Sequence, residues 1–242
     1  MKKLLTLFFL AMPVWAVAQI GEHRNTLSLG GNGGYNFTTI RFTPKVVQSS
    51  LGGVNFGFAA RYTVEKYFST IASVAAEVNF SQMGWKESIK DLKDQPVINA
   101  ATGAAEQYSR TINYIQVPFM AHLAWGREQK GFNFFVNAGP QFGFFMSEST
   151  KMNFDWEKRN MTDRANSIVA QDTMKVENKF DYGITAGAGV EYSVPRVGHF
   201  LVEARYYYGL GNIYGDSKRD YFGSSNFQTI SVRMCYLFDL TK

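Results

Sequence analysis

Hydrophobic and polar residues alternate along most of this chain, in long runs where every second residue is apolar. In residues 114–126, YIQVPFMAHLAWG, one alternating set reads Ile, Val, Phe, Ala, Leu and Trp. The other set is mixed and contains Gln, Pro, His and Gly. Because successive side chains of a β-strand point to opposite faces, this period of two predicts strands that each carry one continuous apolar face.

Eight segments share this period. They are residues 26–38, 53–64, 68–86, 109–126, 132–147, 180–194, 199–213 and 226–240. Most are longer than the roughly five or six residues that are usual for strands of globular proteins. The connections also alternate, because those after the second, fourth and sixth segments are short and the others are long and polar. Short turns alternating with long loops between an even number of strands are typical of transmembrane β-barrels.

The sequence therefore predicts an all-β fold, an eight-stranded antiparallel up-and-down transmembrane β-barrel with both termini on the periplasmic side. Aromatic residues near the segment ends predict two interfacial girdles. They are Tyr62, Phe68, Trp125, Phe132 and Phe200 near the short turns, and Trp85, Phe144, Tyr206, Tyr208 and Phe227 near the long loops. A lipocalin-like barrel and a β-sandwich are the soluble alternatives, but both would turn their apolar faces inward.

The amino-terminal segment predicts export. Lys2 and Lys3 precede an apolar run over residues 4–15, and the A-x-A pattern at 16–18 is a cleavage signal. The run is too short for a spanning helix, so residues 1–18 are predicted to be a cleaved signal peptide, with an uncleaved anchor as the alternative. Residues 19–242 are then one barrel domain in the outer membrane of a Gram-negative cell.

Four short motifs resemble those of the PorT-like outer-membrane β-barrel family. They are GWKE at 84–87, YIQVP at 114–118, NAGP at 137–140 and GAGVEY at 187–192. The resemblance runs along the mature chain and implies an outer-membrane barrel of about eight strands, without a catalytic motif to carry over. The family's namesake is an accessory of type IX protein secretion, so the resemblance implies outer-membrane lipid and other outer-membrane or secretion proteins as partners.

Charged residues occur on the predicted inward faces. They are Arg61, Glu77, Glu191, Glu203, Arg205 and Arg233. Eight strands leave an interior only wide enough for side chains, and buried charges must be paired to be tolerated. The sequence therefore predicts a structural network of salt bridges in the lumen. A proton or ion path through the same residues is the alternative.

The sequence predicts no catalytic site, no cofactor and no metal site. Its three histidines are His23, His122 and His199, and only His122 is expected to point inward, where a Ser and a Glu could complete a hydrolytic site. There is no cysteine pair, no His pair at helical spacing and no calcium-loop motif. Removal of Lys2 and Lys3 with the signal peptide lowers the formal net charge from +5 to +3, which is too small to indicate a nucleic-acid partner.

The long loops are the remaining candidates for function, because recognition residues commonly lie on loops held by a rigid scaffold. Trp156, Lys158 and Arg159 form the candidate partner-binding loop, and Tyr214, Tyr221 and Phe222 are further candidates. The predicted function is a structural or interaction role of a monomeric barrel, such as an accessory of an outer-membrane complex. A small channel or transporter and a lipid-acting enzyme are the alternatives.

Overall fold

The computed structural model describes residues 21–128, 130–215 and 220–240, so the predicted signal peptide lies outside the described residues. The strands are β1 (Glu22–Thr43), β2 (Gln48–Ser49), β3 (Leu51–Tyr67), β4 (Thr70–Glu87), β5 (Tyr108–Gly126), β6 (Gly131–Met152), β7 (Phe180–Val194), β8 (Gly198–Gly209) and β9 (Ser224–Asp239). Two short 3₁₀ helices, Trp156–Lys158 and Ala170–Asp172, lie in the loop after β6. No described helix is long and apolar enough to cross a membrane.

All strand pairings are antiparallel, which confirms the predicted all-β antiparallel class. The sheet order is β2-β4-β3-β1-β9-β8-β7-β6-β5, and β4 also pairs with β5. Each of the eight long strands therefore has a long neighbour on both sides, and the pairings run around a continuous ring. The short β2 adds only a two-residue bridge to the top of β4.

Most strands are longer than their periodic segments predict. Residues 180–194 are a strand as predicted, whereas β1 begins at Glu22 and β6 continues to Met152. At the start of β1 and the end of β6 both faces are mostly polar, so the alternation that marks a strand in the sequence disappears there. Two strands are shorter than predicted, because β4 begins at Thr70 instead of residue 68 and β8 ends at Gly209 instead of residue 213.

The apolar faces of the strands point outward, and the inward faces are polar. Phe58, Phe134 and Met234 are 79%, 70% and 69% exposed, whereas inward residues such as Asn36 and Thr185 are buried. This arrangement is the reverse of a lipocalin-like barrel or a sandwich, and it suits a ring surrounded by hydrocarbon.

Two of the predicted girdle residues are inside the ring instead. Trp85 and Phe227 are both 0% exposed, and they belong to the inward sets that include Met83 on β4 and Thr229 on β9. The predicted girdle placed them by their nearness to a strand end, but the strand period decides which face a residue takes. Trp125 and Phe132 are exposed at the short-turn end, as the girdle predicts.

The interior has three layers. An upper cluster of buried apolar and aromatic residues fills the end near the long loops, and its members come from strands and loops alike. A polar and charged layer follows in the middle. A small lower cluster lies towards the short turns and consists of Ala59, Ile71, Ala124, Phe135, Leu201 and Leu237.

Candidate functional site

The middle of the lumen holds a network of ion pairs centred on Glu77. Its Oε2 accepts from Arg233 Nη2 at 2.8 Å and from Arg205 Nη1 at 3.0 Å, and its Oε1 accepts from Arg205 Nη2 at 2.9 Å. Arg205 also donates to both carboxylate oxygens of Glu203, at 2.7 and 2.9 Å. All four side chains are buried, and two carboxylates balance two guanidinium groups.

A second ion pair lies between Arg61 and Glu191. Arg61 donates to Glu191 through Nη1 at 2.6 Å and through Nη2 at 3.2 Å. The six charged residues predicted from the sequence are thus all buried, but they form two clusters and not one.

Both clusters bridge the ring across its diameter. Glu77 lies on β4 and Arg205 on β8, and these strands are four positions apart in the ring in either direction. Arg61 on β3 and Glu191 on β7 stand in the same relation. Charge-assisted hydrogen bonds with this geometry tie opposite walls together and occupy the space between them.

Amide side chains complete the middle network. Asn79 donates to Glu77 Oε2 at 2.7 Å, and Asn137 donates to Glu203 Oε1 at 3.1 Å. A void of about 20 Å³ lies at this level, lined by residues that include Asn36, Arg205 and Arg233. Such a void holds about one water molecule, so the middle lumen is filled by its own side chains.

The sequence placed only His122 inward, but His199 at the start of β8 points into the lumen as well. The side chain is only 8% exposed, and its Nδ1 lies 2.6 Å from Glu191 Oε1. His199 shares the inward parity of Leu201, Glu203 and Arg205 on β8, and this parity is the signal that could have placed it. The signal was missed because His199 lies next to the short turn, where the alternating pattern has only just begun.

Three residue types of a serine hydrolase meet at His199. Ser193 Oγ lies 2.8 Å from His199 Nδ1, and both carboxylate oxygens of Asp239 lie 3.2 Å from Nε2. However, the contact between Glu191 and the same Nδ1 requires a proton on that nitrogen. Nδ1 therefore cannot accept the proton of Ser193, and the arrangement supplies no general base for it.

His122 offers no hydrolytic site in its place. Its Nε2 has no hydrogen-bond partner, and the nearest carboxylate oxygen, Glu191 Oε2, is 3.8 Å away. Ser73 lies opposite His122 on β4, but its hydroxyl donates to Thr63 at 3.1 Å. The inward Ser and Glu that the sequence suggested are therefore not arranged around His122.

A polar cavity of about 370 Å³ lies at the short-turn end, below the middle network. Residues of both charge signs line it, including Arg24, Arg61, Glu128, Glu191 and Asp239. Most of these charges are paired with one another, for example Arg24 with Glu128 at 2.9 Å. Among the described residues, no group of three or more His, Cys, Asp or Glu could hold a metal ion.

The loop after β6 folds over the opposite end of the lumen as a cap, which we define as residues 153–179. Arg110 Nη1 donates to the carbonyl oxygens of Gln171, at 3.2 Å, and of Met174. The Gln171 oxygen also accepts from the Tyr214 hydroxyl at 3.2 Å. Gln171 Nε2 donates to Glu87 Oε1 at 2.6 Å, so the cap is bound to the tops of β4 and β5.

Two carboxyl groups under the cap have opposite protonation tendencies. Burial, reinforced by contact with the Glu87 carboxyl, raises the pKa of Asp172 to about 9. Burial also opposes ionisation of Glu106, but hydrogen bonds from Arg164, Asn160 and Asn99 hold the pKa of Glu106 below its usual range. Asp172 is therefore protonated near neutral pH, whereas Glu106 is a carboxylate.

The predicted partner-binding loop is part of this cap. The Arg159 guanidinium lies 3.9 Å from the centroid of the Trp156 ring, and Trp156 packs against the upper cluster. Lys158 is exposed. Two of the three residues are thus used in packing within the loop, and of the three only Lys158 is exposed.

The other aromatic candidates divide in the same way. Tyr214 and Phe222 are buried in the upper cluster, and so the expectation that they face a partner is wrong. Tyr221 is 51% exposed. The sequence indicated polar, solvated loops because their apolar residues lack a period, although several of these residues pack together as a core.

A match to a protein family agrees with this architecture. Residues 17–215 match the family described as "Outer membrane protein beta-barrel domain". A comparison with curated proteins finds no significant match.

Solved outer-membrane proteins show a distant likeness. The attachment invasion locus protein Ail of Yersinia pestis, in complex with the heparin analogue sucrose octasulfate, is 13% identical with a TM-score of 0.38, over 89% of this chain and all of that one. OprG of Pseudomonas aeruginosa is 10% identical with a TM-score of 0.40, over 90% and 96%. The amino-terminal barrel of OprF from the same organism is 11% identical with a TM-score of 0.36, over 90% and 100%. Likenesses this low carry no argument about function.

Proposed function

Because the chain belongs to the outer membrane protein beta-barrel domain family, we propose that this outer-membrane protein is a solute-tight barrel with a structural or interaction role. It works as a monomer, with its short turns and both termini in the periplasm and its long loops outside. Fold alone does not determine function, so the proposal depends on the contents of the lumen.

The observation that carries the proposal is the double obstruction of the lumen. Diametric ion pairs fill its middle, where the free space is about 20 Å³, and the cap covers the loop end with a packed aromatic core. A conducting path would have to cross both layers. For this reason the channel and transporter alternative is not favoured, and the proton on His199 Nδ1 speaks against the enzyme alternative.

The loop surface is the part of the molecule that remains for recognition. Leu92 is 91% exposed at a loop tip, and Tyr221 is 51% exposed. Together with Lys158 they present apolar, aromatic and cationic groups on a rigid scaffold. The resemblance to the PorT-like family supports, as part of this proposal, an accessory role in an outer-membrane complex such as the type IX secretion machine.

Reconstitution in planar bilayers tests the closed lumen. The purified full chain is expected to show no single-channel steps under conditions in which a general porin, as a positive control, conducts. Regular conductance steps from the purified chain would overturn the closed-barrel proposal.

Affinity purification tests the interaction role. A carboxy-terminally tagged chain is extracted from outer membranes in mild detergent, and the co-purifying proteins are identified by mass spectrometry. We expect a stoichiometric partner with the natural chain and with Lys130→Ala, a control on the short-turn side, and its loss with Leu92→Ser/Tyr221→Ser. A protein that purifies alone would refute the accessory role, and recovery in the soluble fraction would refute the membrane location.

A further inference from the structure

The outward surface of the ring carries a belt of apolar side chains. On one side of the ring this surface becomes polar between the belt and the loop end. Phe80, Ile115 and Phe144 lie side by side on β4, β5 and β6 and belong to the belt. Met146, at the register shift of β6 just beyond Phe144, is 54% exposed. The next paired rows towards the loop end are polar. They are Gln82, Asn113 and Ser147, then Gly84, Thr111 and Ser149, and finally Lys86, Ser109 and Lys151. We define these three rows as the upper polar face.

The strand period shows that this face points away from the lumen. Met83 and Trp85 on β4 and Tyr108 and Ile112 on β5 are fully buried inside the ring. The residues between them must therefore point outward. Lys86 and Lys151 are exposed, which agrees with this assignment.

The charged residues of the upper polar face are all cationic. It contains two lysines and no carboxylate, and within the described part of the chain neither lysine has an ion pair. At the short-turn end, by contrast, Arg24 and Lys66 both approach the carboxylate of Glu128. The upper polar face thus offers two unpaired ammonium groups, whereas Arg24 and Lys66 at the opposite rim share a carboxylate.

The dimensions of the face indicate what it contacts. Lys86 lies six residues beyond Phe80, which is about 20 Å along the strand and about 15 Å along the membrane normal for a strand tilt of about 40°. The head-group region of a phospholipid leaflet is only about 5–7 Å deep. A phospholipid head group therefore reaches the lowest row, but it does not reach the two lysines.

We propose that the upper polar face binds the phosphorylated saccharide head group of an outer-leaflet glycolipid. The ammonium groups of Lys86 and Lys151, whose backbones are about 10 Å apart across one intervening strand, hold the phosphates. The Gln82 amide and the Thr111 hydroxyl bond the sugar hydroxyls below them. This inference rests on the proposed orientation, in which the loop end faces outward.

Equilibrium binding of fluorescent lipopolysaccharide to the detergent-solubilised full chain tests the inference. Lys86→Ala/Lys151→Ala is expected to bind about thirtyfold more weakly, since each lysine near an anionic lipid surface contributes about 1 kcal/mol. Lys93→Ala and Lys130→Ala remove exposed lysines outside the face, and they are expected to bind like the natural chain. Lys86→Gln/Lys151→Gln keeps the polar surface and serves as a second charge-removing variant if the alanine variant does not fold.

Two further ligands separate phosphate recognition from sugar and from lipid binding. Dephosphorylated lipopolysaccharide is expected to bind the natural chain as weakly as intact lipopolysaccharide binds the double variant, and phosphatidylglycerol is expected to bind natural chain and double variant alike. Equal affinity of the natural chain and both double variants for lipopolysaccharide would overturn the inference, as would an equal loss with the control variants. Failure here leaves the closed barrel intact, because conductance and membrane location are measured independently.

Discussion

Glu77 is the residue on which the middle network depends, because one carboxylate neutralises two buried guanidinium groups. In Glu77→Gln, Arg233 loses its ion-pair partner and Arg205 keeps only Glu203. Breaking a buried ion pair costs about 3–5 kcal/mol, since the remaining charge stays desolvated. We expect the free energy of unfolding, measured by urea titration in lipid vesicles, to fall by about this amount.

A double variant distinguishes charge imbalance from a packing defect. Glu77→Gln/Arg233→Met removes one charge of each sign, and it is expected to recover a large part of the lost stability. Glu22→Gln, an exposed carboxylate at the end of β1, is the matched control and should change little. Additive losses in the double variant would show that the network is not coupled through Glu77.

Asp172 makes the cap sensitive to pH. Burial and the neighbouring Glu87 raise the pKa of Asp172 to about 9, whereas an unfolded Asp titrates near about 3.9. Between these values the closed cap holds a proton that the open cap releases, so the stability of the closed cap falls as pH rises from about 4 to about 9. Limited proteolysis of the cap should therefore be faster at about pH 9 than at about pH 6.

Asp172→Asn isolates this effect. The amide cannot ionise and can donate to the Glu87 carboxyl, so the acceleration at high pH is expected to disappear. Glu157→Gln, at an exposed position of the same loop, controls for the pH dependence of the protease and should keep the acceleration. If both variants respond to pH alike, Asp172 does not control the cap.

The strands show what the sequence could predict at the scale of elements. Outward apolar side chains must alternate with inward polar ones wherever a strand lies in hydrocarbon. Both ends of β7 could therefore be predicted from the sequence. At the end of β6 both faces are mostly polar, so no period marks residues 148–152. At the top of β1 the pattern reverses, with Ile40 and Phe42 buried inside the ring and Arg41 exposed, and this end was therefore missed. The two-residue β2 is too short to show any period.

The cap could not be predicted for a different reason. Its core joins Phe154 and Val176 of one loop to Ile213 and Phe222 of another, and these residues are scattered singly among polar neighbours. No helical or strand period connects them, because their conformation is set by contacts distant in the chain. The sequence period showed that each lumen charge points inward. It could not show which charges pair with one another, because that depends on the order of the strands around the ring.

Arg110 couples the cap to the barrel. Its guanidinium donates to the Gln171 and Met174 carbonyls and to Glu148 Oε2 at 2.5 Å. Arg110→Met keeps much of the side-chain length but removes the donor of the Met174 carbonyl and one of two donors each of Gln171 and Glu148, at a cost of about 1–3 kcal/mol. Trypsin cleavage after the exposed Lys175 is expected to accelerate about tenfold or more, because the cap opens more often.

The barrel itself should be unaffected by that change. Heat-modifiable migration on gels, which reports the folded barrel, is expected to remain as in the natural chain. Arg127→Met, in the short connection between β5 and β6, removes an exposed arginine and should leave cleavage of the cap unchanged. Unaltered cleavage in Arg110→Met would show that the cap is held by its aromatic core alone.

At the scale of the whole molecule, the cap and the ion pairs close the lumen in series. Each layer spans the ring by itself, the cap through its packed core and the middle layer through pairs between diametrically opposite strands. A variant in which residues 153–178 are replaced by a short Gly/Ser linker is therefore expected to remain silent in planar bilayers. Glu77, Arg205 and Arg233 still fill the lumen below the missing cap, and ions cannot pass a void of about 20 Å³ without displacing them.

The same variant combined with Glu77→Gln/Arg233→Met removes a charge pair as well as the cap, and it is expected to show small, noisy currents. Comparison of the three variants separates the two layers, because the loop replacement alone and the charge-pair replacement alone should each leave the protein without conductance. Steps in the loop-shortened variant by itself would mean that the ion pairs yield to passing ions. In that case the cap would be the gate of a channel, and the closed-barrel function would have to be abandoned.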